Sequence, residues 1–423
     1  MFLQQLLDAG ADVNLPCGKY GSPLATAVKK GNAKVVDKLL AYSAKIDVPA
    51  GIFGSPLEIA IREGDLDIFR LLLDHGANVN FECNRENPEY HETPLSAALG
   101  KRKIMFKELL EHGADPMIGD PVCLVAAAIN GEVDEMSNLL SLGADVNRQE
   151  GILGGALQVA ARYGHIKACE VLLDNGADIN AFGGYYGNAL MAALLGHNKN
   201  SVIPIVNLLL ERGAFVNSPS CERGLSALQL ALLHHYDELI DIFLGKDADV
   251  NAWDRRWGTA LIVAAMKSMG IPIIEKLLAR GADVGLSGQK FGTALQVAAR
   301  RGNVQVVEFL LDHGAEVNQI SCRAGTALAA ACADDGAKPT IRLLIERGAD
   351  INLRGGKYET ALQYAAKKGH LEVVKSLLEH GADLSIQGGK YKTAIQAAKA
   401  KKKYWVAGFL KQYVERNTTM SSV

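Results

Sequence analysis

A five-residue signature, Gly-Ala-Asp-Val-Asn in its fullest form, returns twelve times between Gly10 and Ser385, and this recurrence constrains the fold more than any other property of the chain. Its first slot is occupied by Gly10, Ser43, Gly76, Gly113, Gly143, Gly176, Gly213, Asp247, Gly281, Gly314, Gly348 and Gly381, and eight of the eleven steps between them are 33 or 34 residues. A period of that size, with amphipathic segments between copies, marks an array in which each unit of two short helices leans on its neighbours. Length therefore counts units rather than domains.

One unit shows how the pattern encodes structure. Thr293 precedes Ala294-Leu295-Gln296-Val297-Ala298-Ala299. Threonine is a good helix N-cap, and Leu295, Ala298 and Ala299 share one face at i, i+3 and i+4. Gly302 ends this first helix, and Val304, Val307, Leu310 and Leu311 form the expected apolar stripe of a second, which stops at Gly314 in a left-handed cap. Alanine pairs recur in the first helices (Ala160-Ala161, Ala192-Ala193, Ala264-Ala265, Ala298-Ala299, Ala365-Ala366, Ala397-Ala398), and small side chains let those helices pack closely between units.

The first helix opens as Ser22-Pro23-Leu24-Ala25, Ser55-Pro56-Leu57-Glu58 and Thr93-Pro94-Leu95-Ser96, then drifts to Thr-Ala-Leu-Gln forms such as Thr293-Ala294-Leu295-Gln296 and Thr360-Ala361-Leu362-Gln363. Proline at N1 after a Ser or Thr cap is physically apt. These units resemble ankyrin repeats over nearly the whole chain. The glutamines at 158, 229, 296, 363 and 396, with Gly-Gly-x-Tyr hairpins, make the array similar to fungal-type ones. The resemblance implies an all-α repeat solenoid, a curved superhelix of stacked helix-turn-helix units with β-hairpin or turn fingers. It does not choose a partner.

The expected organisation is a half repeat over 1–17, a repeat array over 18–391, a capping repeat over 392–415 and a polar tail over 416–423. The half repeat exposes Phe2, Leu3, Leu6 and Leu7 on one apolar face, which reads as the cut end of a longer protein. Three units break the period. Phe81 to Glu92 forms an enlarged polar finger, the connection from Met117 to Leu124 is shortened, and about four extra residues around His197-Asn198-Lys199-Asn200-Ser201 are placed in an inter-helix turn.

No catalytic motif emerges: no nucleophile elbow, Walker loop, H-E-x-x-H, EF-hand or kinase set. His75, His112, His313 and His380 occupy one repeat slot, and His235 takes a turn-glycine slot, so His234-His235 is not read as a metal site. Seven scattered cysteines suit a reducing compartment. Without 18 consecutive uncharged apolar residues or a leader after Met1, the chain reads as neither secreted nor membrane-spanning, hence cytoplasmic, with Lys401-Lys402-Lys403 as a nuclear import alternative. No cofactor, metal, small-molecule substrate or membrane partner is expected.

The hairpin tips carry the functional signal. Four positions before each first helix, the last six units present Arg223, Arg256, Lys290, Arg323, Lys357 and Lys390, whereas earlier units place Lys19, Ile52, Tyr90, Ile152 and Tyr185 there. Beside this basic column stand Trp257, Phe291, Tyr358 and Tyr391. Trp253-Asp254-Arg255-Arg256-Trp257 departs most from the other tips. Cations beside aromatic rings are the makeup of interface hot spots. Residues 1–216 carry 18 Lys+Arg against 26 Asp+Glu and 217–423 carry 27 against 21, an asymmetry from -8 to +6 that can orient a charged partner. The expected function is a non-catalytic, monomeric scaffold that binds an acidic, extended segment of another protein through Trp253, Arg255, Arg256, Trp257, Lys290, Phe291, Arg323, Lys357, Tyr358, Lys390 and Tyr391, together with its concave helix face. The alternatives are the regulatory region of a larger signalling NTPase or enzyme, and a nuclear transcription co-regulator. The basic strip is too sparse to follow nucleic-acid phosphates.

Overall fold

The computed structural model describes residues 2–16, 19–49, 54–82, 93–100, 102–118, 123–196, 198–218, 224–321, 325–334, 336–356 and 360–420. It forms twenty-five helices among them, divided between two compact units, Met1–Phe215 and Val216–Val423. Each unit is a stack of antiparallel helix pairs, an all-α repeat solenoid.

The pair around Thr293 follows its sequence closely. The Thr293 hydroxyl accepts the Gln296 N–H at 3.2 Å while the Gln296 side chain accepts the Thr293 N–H at 3.1 Å, so two donors left over at the helix start are satisfied reciprocally. The first helix is Ala294–Arg300; Gly302 turns at φ +68, and Asn303 caps the second helix, Val304–Asp312. Gly314 closes it at φ +87, as expected. The buried stripe of the second helix is Val306, Val307 and Leu310. Val304 and Leu311, expected inside, are half-exposed because they lie on the shoulders of the face that meets the first helix.

First helices form the inner layer. Ala294–Arg300 lies against Ala260–Met266 on one side and Ala327–Ala331 on the other. The six alanine pairs are all buried, which lets these backbones approach closely.

The recurring pentapeptide holds one repeat to the next. In the copy at Asp247, the Asp249 carboxylate accepts the Asn251 N–H at 2.9 Å, fixing the turn. Asn251 then donates to the Gly281 carbonyl at 2.9 Å and accepts the Asp283 N–H at 2.9 Å, two bonds into the following copy. Asn14, Asn80, Asn147, Asn180, Asn217, Asn318 and Asn352 do the same. Each asparagine thereby satisfies a carbonyl at the end of the next second helix, a group with no partner inside its helix.

Fingers are short. Gln149–Glu150 pairs antiparallel with Gly154–Gly155, and Ser287–Gly288 with Gly292–Thr293; single bridges join Gly183 to Gly187, Asp254 to Gly258, Ser321 to Gly325 and Gly388 to Lys392. The extra residues near Asn198 do not enlarge a turn as expected. They extend the second helix to 13 residues, Lys199–Glu211, where Ile166–Asp174 has nine. Asn198 caps the added turn, and the helix runs through Pro204 with the loss of one backbone bond. His197 itself, most of the enlarged finger (83–92) and the middle of the shortened connection (119–122) lie outside the described residues. The final helix runs Tyr404–Met420 and so takes in most of the residues expected as a tail.

Candidate protein-binding surface

The tip at Trp253–Trp257 is a prearranged turn. Asp254 and Gly258 exchange backbone bonds of 2.9 and 2.8 Å. The Asp254 carboxylate, only 6% exposed, accepts the N–H groups of Arg256 at 2.8 Å and Trp257 at 2.6 Å. Backbone donors thus solvate a buried charge that would otherwise be costly, and the tip is locked. Gly224 makes room for it, since a Cβ there would lie 2.2 Å from the other Asp254 oxygen.

A buried glutamine clamps four of the tips from the preceding first helix. Gln229 donates to the carbonyls of Ala252 at 3.1 Å and Gly258 at 2.6 Å, and Gln296 donates to those of Gln319 at 2.8 Å and Gly325 at 2.9 Å. Gln363 repeats the pattern on Ile386 and Lys392. Gln158 reaches Ala181. Gln396 is exposed. This role was not evident from sequence; the available signal was a glutamine three residues after each Ser, Thr or Gly cap, where it can close a capping box and still reach across.

Adjacent tips bring aromatic rings together and hold cations over them. Trp257 and Phe291, from adjacent fingers and both half-buried, stack at 6.0 Å with planes 20° apart. The Arg256 guanidinium lies 5.1 Å from the Trp257 ring centre, and Lys290 Nζ lies 5.0 Å from that of Phe291. Lys390 Nζ lies 5.7 Å over Tyr391. Trp253 is 47% exposed, with its indole N–H donated to the Ser287 carbonyl at 3.1 Å, and Arg255 reaches Gln289 at 3.4 Å. None of Arg255, Arg256, Lys290 and Lys390 forms an ion pair among the described residues. Helix cations elsewhere do: Lys276 with Asp241 at 2.5 Å, and Arg347 with Asp312 at 2.6 Å. Arg323, Lys357, Tyr358 and Arg223 lie outside the described residues, so the described column consists of Arg256, Lys290 and Lys390.

Other chemistry is quiet. Burial pushes the thiols of Cys123, Cys169 and Cys332 up to about 12, which keeps them protonated and poorly nucleophilic. His235 takes the left-handed turn conformation at φ +58, the glycine slot its sequence position indicated. Among the described residues no group of His, Cys, Asp or Glu is placed to hold a metal ion, and no helix is long and apolar enough to cross a membrane.

Two family models match the chain: "Ankyrin repeats (3 copies)" over residues 1–83, 95–183 and 261–355, and "Ankyrin repeats (many copies)" over 344–398. Among solved structures, the human ASB11 ankyrin repeat domain is similar at 27% identity, covering 54% of this chain and 98% of its own, with a TM-score of 0.44. No curated protein matches the chain.

Proposed function

The chain belongs to the ankyrin repeat family, whose repeats are generally protein-protein interaction modules, and on that premise we propose that it is a non-catalytic scaffold holding an acidic, extended segment of another protein on its hairpin tips. The observation that carries the proposal is the pair of adjacent tips at Arg256 and Lys290. Both cations lack an ion-pair partner among the described residues and both lie over stacked rings; Arg256 rides on a turn fixed by Asp254 and by buried Gln229, and Lys290 on the neighbouring hairpin of Ser287–Gly288 and Gly292–Thr293. A cation held in place loses less conformational freedom when a carboxylate arrives, and its rim position favours fast capture.

Trp257 stacks on Phe291, so replacing it would disturb the finger as well as any contact. Charge reversal at Arg256 and Lys290 leaves the rings in place and is the cleaner test. The Arg256→Glu, Lys290→Glu protein is expected to bind a polyglutamate peptide at least about tenfold more weakly than wild type, with an unchanged melting temperature. Wild-type affinity is expected to fall as salt is added. Equal affinity of the two proteins removes the tips from consideration.

A further inference from the structure

We propose that the inter-helix turns of the last two repeats form a docking surface for an anionic membrane face. This surface lies at the C-terminal ends of the first helices, whereas the hairpin tips precede their N-terminal ends, and it does not depend on the tips.

The last turns of the helices Ala361–Lys368 and Ala394–Ala400, with the inter-helix turn after the second, carry Lys368, Lys399, Lys401 and Lys402, all exposed, beside Tyr404 at 65% and Trp405 at 56% exposure. The two turns are joined. The Trp405 indole N–H donates to the Gly369 carbonyl at 3.3 Å; the Lys403 stem crosses Gly369 so closely that a Cβ there would lie 2.7 Å from Lys403 Cδ; and Lys403 Nζ sits 5.3 Å over the Trp405 ring.

Three features show that the charge exceeds what the fold needs. None of Lys368, Lys399, Lys401 and Lys402 forms an ion pair among the described residues, although second-helix cations of nearby repeats do, as Lys338 does with Glu372 at 3.0 Å. A cation or two complements a helix C-terminus, but this edge concentrates more than that. Lys402 adopts φ +56, where Gly302 has +68 and Gly369 has +89 in the matching slot of earlier repeats. Lysine enters that conformation reluctantly and glycine freely, so local geometry disfavours the residue that is present.

The kind of cation selects the partner. No arginine occurs between Arg354 and Arg416. Protein interfaces enrich arginine and deplete lysine, and forked recognition of phosphate also favours arginine. An anionic bilayer responds to charge density without fixed geometry and takes lysine clusters readily, while Trp and Tyr settle at the headgroup level.

The test uses the full chain and sedimentation with vesicles of two parts phosphatidylcholine to one part phosphatidylserine, against pure phosphatidylcholine. Wild type is expected to sediment with the anionic vesicles only, less so as salt is added. The triple variant Lys399→Gln, Lys401→Gln, Lys402→Gly is expected to bind on the order of 100-fold more weakly, each lysine near an anionic surface being worth about fivefold. Lys402→Gly relaxes the backbone, so lost binding is not lost folding, and a melting curve no lower than wild type confirms it. Failure of wild type to sediment, or equal sedimentation of the triple variant, overturns the proposal. So does a triple variant that loses polyglutamate binding while its vesicle binding is unaffected, which would assign the surface to an acidic protein.

Discussion

Gln319 donates its side-chain N–H to the carbonyl of Gly285 over 2.8 Å, a bond that reaches backward into the preceding repeat. Gly285 stands where other copies of the pentapeptide place the asparagine that reaches forward. Arg148 reaches back in the same way to the Met117 carbonyl, at another copy that lacks the Asn. The backward bond partly replaces two forward ones.

Gly285→Asn is therefore expected to stabilise the protein. The turn is already right for it: the Gly285 N–H donates to Asp283 at 2.8 Å, as the Asn251 N–H does to Asp249. A Cβ at Gly285 meets only the Asp283 carboxylate, at 3.3 Å. New bonds to the Gly314 carbonyl and Glu316 N–H, with less freedom in the unfolded chain, should add about 1 kcal/mol. Urea denaturation reads it; an unchanged midpoint means the asparagine bonds do not couple repeats.

The glutamine clamp makes a larger difference. Gln296 is 1% exposed. Besides its bonds to Thr293, Gln319 and Gly325 it accepts the Ser321 hydroxyl at 2.6 Å. Gln296→Ala takes a donor from the part-buried Gln319 carbonyl and the acceptor from the buried Ser321 hydroxyl, and should cost about 2–4 kcal/mol. Gln396→Ala, at the same place in an exposed site, should change stability by less than about 0.5 kcal/mol. Equal losses would show that the bonds from Gln296 to the next tip do not hold the repeats together.

These cases show what could be read from the chain and what could not. Glycine at the pentapeptide's first slot announces a left-handed helix end on its own, because the requirement is local. The alanine pairs announce close packing for the same reason. The partners of Asn251 and Gln296 lie 23 to 32 residues away, and a distance of that size becomes contact only once the repeats are stacked. At the tips, sequence marked the cations and rings of Trp253–Trp257 but not Asp254 as the lock, since an aspartate between aromatics has no periodic signature. The four residues added near Asn198 could have gone to turn or helix; the cap at Asn198 decided for helix.

Acid should weaken the second unit through Glu372. Bonds from Lys375 at 2.8 Å and Lys338 at 3.0 Å, with the attraction of both ammonium groups, bring its carboxyl from an ordinary 4.5 down to about 2. A carboxyl lowered on folding contributes stability that is present above its unfolded value and is lost as pH falls through the folded one. The contribution should fade between pH 4.5 and about 2, and because the site is on the surface it should be modest and salt-sensitive. Glu372→Gln should flatten that part of the stability curve and leave the slope unaltered above about pH 5.5, one unit clear of the titration. An identical acid limb in the two proteins would refute the assignment.

Ser43 and Asp247 occupy the pentapeptide's first slot without being glycine, and both still take positive φ, +61 and +53, where the ten glycines lie between +81 and +93. The end of the second helix imposes the conformation: Ser43 N–H bonds to the Leu40 carbonyl at 3.0 Å and Ala44 N–H to that of Leu39 at 3.0 Å, as at the ten glycine copies, and at Asp247 the following Ala248 N–H bonds to the Phe243 carbonyl at 3.0 Å. Holding an L-residue there costs roughly 1–2 kcal/mol, and glycine returns about half of that advantage through its freer unfolded chain. Ser43→Gly should thus stabilise by about 0.5–1 kcal/mol. Asp247→Gly should gain less, because aspartate tolerates the left-handed region better than serine. Gly314→Ala, with open space around the added methyl, should lose about 1 kcal/mol from conformation alone. If thermal melting of the three variants fails to rank Ser43→Gly above Asp247→Gly and both above Gly314→Ala, then the pentapeptide's glycine is kept for a reason other than its backbone angle.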